Sequence, residues 1–136
     1  MTVPLTASVE LVVPFHDVDS LHVVWHGHYM KYMEIARQQL LRERRLDVTH
    51  LMELGVRMLV THTHLKHVAP LCYNDRFRVT ATLVEYKVRF EFQFEIFNLT
   101  RGKRAATGRT ILAVVGNDGE LCFQTPSELI RRIEGP

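Results

Sequence analysis

The stretch FHDVDSLHVVWHGHYMKYMEIARQQLL, residues 15–41, changes its hydrophobic period partway along, and the place of the change decides the fold. From His28 onward Tyr29, Tyr32, Met33, Ala36 and Leu40 fall at i, i+3, i+4, i+7 and i+11, the spacing of one helix face, with Lys31, Arg37 and Gln38 between them. A helix is expected to run to about Arg44. Met30, Ile35 and Leu41 widen its apolar surface, so it should be covered on more than one side and lie centrally in the fold. Ahead of it come two carboxylates, four histidines and the only tryptophan of the chain. Asp17 and Asp19 are two apart and share a face if the preceding strand extends that far.

Working outward, Val9, Leu11, Val13 and Phe15 alternate with Glu10, Val12 and Pro14, which predicts a first strand. After the helix, a polar turn at Asp47 and Thr49 leads into a weak helical piece ending at Gly55, and the β-branched run from Met58 to Val68 predicts a second strand. Pro70 to Asp75 breaks it. Phe77, Val79, Ala81 and Leu83 then alternate with polar residues as a third strand, and Phe90, Phe92, Phe94 and Ile96 alternate with Glu91, Gln93 and Glu95 as a fourth. NLTRGKR at 98–104 reads as a hairpin loop before a fifth strand from Ala105 to Val115, and GNDG at 116–119 as a further turn. Thr125, Pro126 and Glu128 spell a capping box with proline at N1, opening a short helix through Ile133. Strand, long helix, then four strands joined mostly by short turns is an α+β arrangement, one antiparallel sheet with one helix packed on it. An unpaired edge strand in such a sheet often continues into a second copy, so a dimer is expected.

Composition bounds the rest. With 136 residues, 46% hydrophobic and 24% charged, the chain suits a single domain over 1–136 with one core. No segment has the apolar length of a membrane span and the N-terminus lacks a leader pattern, so a cytoplasmic protein without membrane insertion is expected. Cys72 and Cys122 form no CxxC and read as reduced structural thiols. A net charge of +2 does not announce a nucleic-acid partner.

Around His26 to His28 the helix start offers no Ser, Thr, Asp or Asn at the expected cap, and Gly27 permits close approach of a backbone or ligand. Its first N–H groups are then free to stabilise an oxyanion, and a carboxylate nearby could attack or activate water at a reactive carbonyl. A thioester suits such a site, because its thiolate leaves without a strong general acid. The competing reading has Asp17 or Asp19 looping forward to cap the helix, with His22, His26 and His28 as ordinary loop residues. Spacing alone favours the cap.

The same stretch closely resembles the signature of hotdog-fold acyl-CoA thioesterases of the 4-hydroxybenzoyl-CoA thioesterase type, including the Tol-Pal-associated branch. Phe15, Asp17, Asp19, Val23, Val24, Trp25, His26, Tyr29, Tyr32, Glu34, Ala36 and Arg37 fill the family's places, and Ala69, Pro70 and Asp75 follow where expected. The resemblance implies a five-stranded antiparallel sheet wrapped around the long helix. It implies Asp19 as catalytic carboxylate, nucleophile or general base, with the His26 backbone N–H as oxyanion donor. Asp17 is secondary, and Trp25 and Tyr29 line the acyl pocket. The substrate implied is an acyl-CoA, with no cofactor, in a homodimer or a homotetramer built as a dimer of dimers. One departure stands out: His22 occupies a place where many relatives have glycine, so a reshaped turn is expected.

Other clusters compete for attention. His62 and His64 share a strand face with His67 just beyond, but a strand-borne HxH is a weak metal signal and no metal site is assigned. Lys87, Arg89, Arg101, Lys103, Arg104 and Arg109 make residues 87–109 locally cationic. The resemblance places the coenzyme A nucleotide near such strands, with Lys87 and Arg89 first in line to meet its phosphates. Hydrolysis of acyl carrier protein thioesters and a non-catalytic acyl-CoA-binding module are the alternatives, and retention of Asp19 speaks against the module.

Overall fold

The computed structural model describes residues 5–135. Five strands, β1 Thr6–Val12, β2 Val56–His67, β3 Arg76–Glu85, β4 Phe90–Asn98 and β5 Lys103–Gly116, form one antiparallel sheet in the order β1-β3-β4-β5-β2. The long helix α1 spans Tyr29–Glu43, a short α2 spans Val48–Glu53, and α3, Ser127–Glu134, follows the sheet. This is the antiparallel sheet with one long helix that the period change leads one to expect, and the hotdog arrangement that the family resemblance implies. None of the helices among the described residues is long and apolar enough to cross a membrane.

The core forms where the two periodicities meet. Tyr29, Tyr32, Met33, Ala36 and Leu40, the predicted stripe of α1, are all buried, and α1 lies against β1, β3 and β4. Opposite it Phe90, Phe92, Phe94 and Ile96 turn inward from β4, the phenyl rings stacked at 6.4 and 6.2 Å between centroids. Tyr32 meets Phe77 of β3 at 4.9 Å. Gly108 in β5 is set by the helix above it: a Cβ there would come within 2.7 Å of Met33 Sδ, so only glycine leaves that buried thioether undisturbed.

Three local expectations are corrected. β1 ends at Val12 rather than continuing to Phe15, because Pro14 has no N–H for a ladder and Phe15–Asp17 form a 3₁₀ turn. Phe15 therefore leaves the inward face and is 76% exposed. Asp17 and Asp19 consequently do not share a strand face. The capping box at α3 does not form: Pro126 takes the N-cap place without a side-chain bond, while Thr125 is buried and its N–H donates to the Lys87 carbonyl at 2.9 Å. A capping box does exist at α2, unannounced by the Ser/Thr pattern. Asp47 accepts from Val48 N–H at 2.8 Å, and His50 Nδ1 accepts from Asp47 N–H at 3.2 Å.

Candidate active site

Residues 17–25 fold into a miniature hairpin. The Trp25 N–H donates to the Asp17 carbonyl at 3.0 Å, Val18 bridges Val24, and the Asp19 N–H donates to the Val23 carbonyl at 2.9 Å. Ser20 to His22 close the tip. Asp19 fixes that tip twice, its carbonyl accepting from His22 N–H at 3.0 Å and its Oδ1 from Leu21 N–H at 2.8 Å. His22, where a reshaped turn is expected, has a left-handed backbone with φ 68°. A histidine is strained in that conformation. A Cβ in that region carries about 1–2 kcal/mol, partly offset in glycine by its greater chain entropy. His22→Gly is thus expected to raise stability by about 0.5–1 kcal/mol, read as a shift of the urea midpoint at unchanged slope.

Asp17 has a different environment from Asp19. Its carboxylate is buried and accepts from Tyr32 Oη at 2.5 Å and from Lys31 Nζ at 2.9 and 3.0 Å, with the His28 and His16 rings at 3.7 and 3.8 Å. Burial pushes its pKa up, but the Tyr32 hydroxyl and Lys31 ammonium outweigh that and hold the carboxyl below its usual value. Burial and the Asp17 carboxylate in turn raise the Tyr32 phenol, which stays a protonated donor. Asp17 thus clamps the hairpin to the first turns of α1. Neither aspartate caps that helix: no side chain bonds the helix start at Trp25 or His28.

The helix start is a 3₁₀ turn, His26–His28, whose first closing bond runs from the His28 N–H to the Trp25 carbonyl at 2.9 Å. The N–H groups of His26 and Gly27 come before that bond and have no partner within the turn. Trp25 folds over this turn, its ring 5.0 Å from that of His26 and 5.4 Å from that of His28. A Cβ on Gly27 would sit 2.1 Å from the indole, which explains the glycine as a close approach.

Beside this turn opens a groove of about 280 Å³ lined by Val24, His26, Tyr29, His67, Val68, Ala69 and Pro70. Tyr29 forms its inner wall, with its hydroxyl accepting from Leu71 N–H at 3.1 Å. The hairpin is stitched to the opposite wall by Val24 N–H donating to the Leu71 carbonyl at 2.8 Å and by a Val23–Cys72 bridge. Of the residues singled out in the sequence, the groove unites His26 and Tyr29; Trp25 flanks it and Asp19 sits at the tip of the attached hairpin. Sequence reasoning missed His67 and Val68 as lining residues. The Ala69–Pro70 break marks only where β2 ends, not what its last residues face.

Lys87 and Arg89 are not brought to this groove within one chain. They occupy the β3–β4 turn next to Phe90, whereas His67 shares a cross-strand row with Ala106 and Ile96. Phe90 and Ile96 are six residues apart, so the two ends are separated by about 20 Å along the strands. The cationic strip is also largely neutralised, with Lys87 on Glu134 at 2.8 Å, Arg101 on Asp75 at 3.1 Å, Arg104 on Glu95 at 3.0 Å and Arg109 near Glu91 at 3.8 Å. His62 pairs with Thr61 Oγ1 at 2.9 Å, and among the described residues no three metal-ligating side chains converge.

With this geometry in place, comparisons with known proteins give it a context. Residues 13–133 match the family described as the thioesterase-like superfamily. A relative from Synechocystis sp., whose name proposes an esterase, is 30% identical over 113 residues, covering 82% of this chain and 68% of that one. Among solved structures, a 1,4-dihydroxy-2-naphthoyl-CoA thioesterase from Synechocystis superposes with a TM-score of 0.84 at 20% identity, covering 94% and 95% of the two chains. A Staphylococcus aureus protein solved in complex with CoA superposes at 0.87 with 13% identity, covering 100% of this chain and 89% of that one. At such identities these structural likenesses speak to the fold.

Proposed function

Because the chain belongs to the thioesterase-like superfamily, we propose that it hydrolyses acyl-CoA thioesters to a free acid and CoA, as an acyl-CoA thioesterase of the 4-hydroxybenzoyl-CoA thioesterase type. The observation that carries this reading is the uncapped helix start at His26–His28 bordering an apolar groove. A thioester carbonyl oxygen at the His26 N–H meets a donor at the positive end of α1, where charge develops in the tetrahedral intermediate. Asp19 either attacks the carbonyl carbon itself, expelling the CoA thiolate and leaving an acyl anhydride that water then hydrolyses to the free acid and Asp19, or takes the proton of an attacking water, whose oxygen bonds the carbonyl carbon as the C–S bond breaks and the CoA thiolate departs. The CoA-bound Staphylococcus neighbour supports coenzyme A as carrier, and a cytoplasmic location fits such a substrate.

The site is completed by a second copy. β2 is a twelve-residue edge strand with Leu59 and Val60 about half exposed. Beside it an apolar groove of about 560 Å³ runs between β2, α1 and α2, with Ile35, Val48 and Met52 exposed on its rim. Arg37 faces this groove with its Nη1 buried and unpartnered among the described residues. An open ladder, an apolar trough and a guanidinium with one nitrogen unpartnered, on one side of the molecule, are what an isologous interface would cover. Antiparallel β2–β2 pairing also reverses the sheet ends. The partner subunit's Lys87 and Arg89 then lie at the same end as this chain's His26 groove, where they can meet the CoA phosphates.

One experiment tests both parts. Thiol release is measured over aromatic, short-chain and long-chain acyl-CoAs and the corresponding acyl carrier protein thioesters, with sedimentation run at the assay concentration. CoA thioesters are expected to turn over in a species of at least dimer size. Turnover confined to carrier-protein thioesters would reassign the carrier, absence of any turnover would reject the enzyme, and a fully active monomer would reject the shared site.

A further inference from the structure

Building on the thioester-hydrolase reading, we propose that His67 is a specificity-determining residue, its imidazole hydrogen-bonding a polar substituent on a compact acyl group held in the groove beside the helix start. The groove is small and mostly apolar. The part of it built by this chain measures about 280 Å³, at the lower limit for ligand pockets, which suits a single ring or a short chain better than a long one. Val24, Val68, Ala69 and Pro70 contribute no side-chain hydrogen-bonding atom, and Tyr29 is buried with its hydroxyl held against Leu71 N–H. The exposed polar side chains that this chain places on the wall are the imidazoles of His26 and His67.

The two histidines hold different places. His26 belongs to the turn whose N–H groups meet the thioester carbonyl, so its wall faces the reacting end of the acyl group. His67, the last residue of β2, stands across from it, with the ring centroids 6.4 Å apart and the planes at 86°. Its own ring is oriented by an edge-on contact with Tyr29, 4.7 Å between centroids at 77°. Among the described residues the His67 ring meets the rings of Tyr29 and His26 and makes no side-chain hydrogen bond. The backbone beneath is fixed, since His67 pairs with Ala106 and both Val68 N–H and Ala69 N–H donate to the Ala105 carbonyl, at 2.8 and 3.0 Å.

A pre-oriented imidazole with free nitrogens can donate to or accept from a hydroxyl. Such a group discriminates against an analogue lacking that hydroxyl, because the partner is then left unmade. A neutral hydrogen bond on a partly exposed wall corresponds to about a tenfold preference.

The test compares kcat/KM for benzoyl-CoA, its 2-, 3- and 4-hydroxy derivatives and palmitoyl-CoA, in the wild-type chain, His67→Phe and His67→Gln. At least one hydroxybenzoyl-CoA is expected to exceed benzoyl-CoA by about tenfold, with palmitoyl-CoA poor. His67→Phe, which keeps a flat ring, should bring that ratio close to one, and His67→Gln should restore part of it. A ratio unchanged in His67→Phe, or a wild-type preference for palmitoyl-CoA, overturns the assignment of His67 while thioester hydrolysis stands. Absence of hydrolysis of all five would instead remove the underlying reading.

Discussion

Asp19→Asn is expected to lower kcat for the best acyl-CoA by about 10²–10⁴-fold, the range for loss of a positioned acid-base group, with fold and oligomer size unchanged. The variant is a clean probe because of what Asp19 does in the hairpin. Its Oδ1 accepts from Leu21 N–H, and its backbone bonds to Val23 and His22 close the tip. An asparagine carbonyl oxygen accepts the Leu21 N–H equally well, so the turn survives while the negative charge is lost. Thiol release at saturation, with circular dichroism and sedimentation as controls, separates the two roles. Retention of most of kcat would confine Asp19 to closing the turn.

The parts legible in the sequence were those governed by period. The stripe Tyr29, Tyr32, Met33, Ala36 and Leu40 and the alternation Phe90, Phe92, Phe94 and Ile96 each bury one face against the other, so the pattern and the core are the same fact. Polar placement was less legible, because it depends on which donors tertiary structure delivers. Nothing in the spacing of DVD distinguishes a carboxylate that meets Lys31 and Tyr32 one helical turn into α1 from one that bonds Leu21 in its own loop. Thr125 illustrates the same limit: the capping pattern is present, yet the chain turns one residue later and buries the hydroxyl. His67 was hidden for another reason. Its role depends on β2 ending beside the helix start, a contact between positions 26 and 67 that only the folded sheet creates. The basic strip is not one surface, since residues close in sequence reach opposite ends of the sheet and pair with acidic side chains there.

Asp17→Ala is expected to act on stability where Asp19→Asn acts on turnover. Removing the carboxylate leaves the Tyr32 hydroxyl buried without its acceptor and frees Lys31, which is about half exposed and returns to water at little cost. The stranded phenol and the lost clamp together amount to about 3 kcal/mol, or a melting temperature lower by about 10 °C for a domain of this size. The effect carries a pH signature. Asp17 has a folded pKa held below its ordinary 3.8, so its stabilisation is complete above that value and disappears as pH falls through the lower, folded one. Asp75 shares this behaviour: burial raises its pKa, but the Cys72 N–H, Asn98 and Arg101 more than offset that, so the wild-type chain itself weakens in acid. The gap in urea midpoint between wild type and Asp17→Ala should therefore be full at neutral pH and narrow once the pH drops below about 4. At a temperature where the variant is folded, kcat should fall far less than in Asp19→Asn, because the Trp25 N–H bonds the Asp17 backbone carbonyl, which alanine retains. A gap independent of pH would show that the ion pair contributes nothing and that the loss is one of packing. A kcat loss matching that of Asp19→Asn would move the catalytic charge to Asp17.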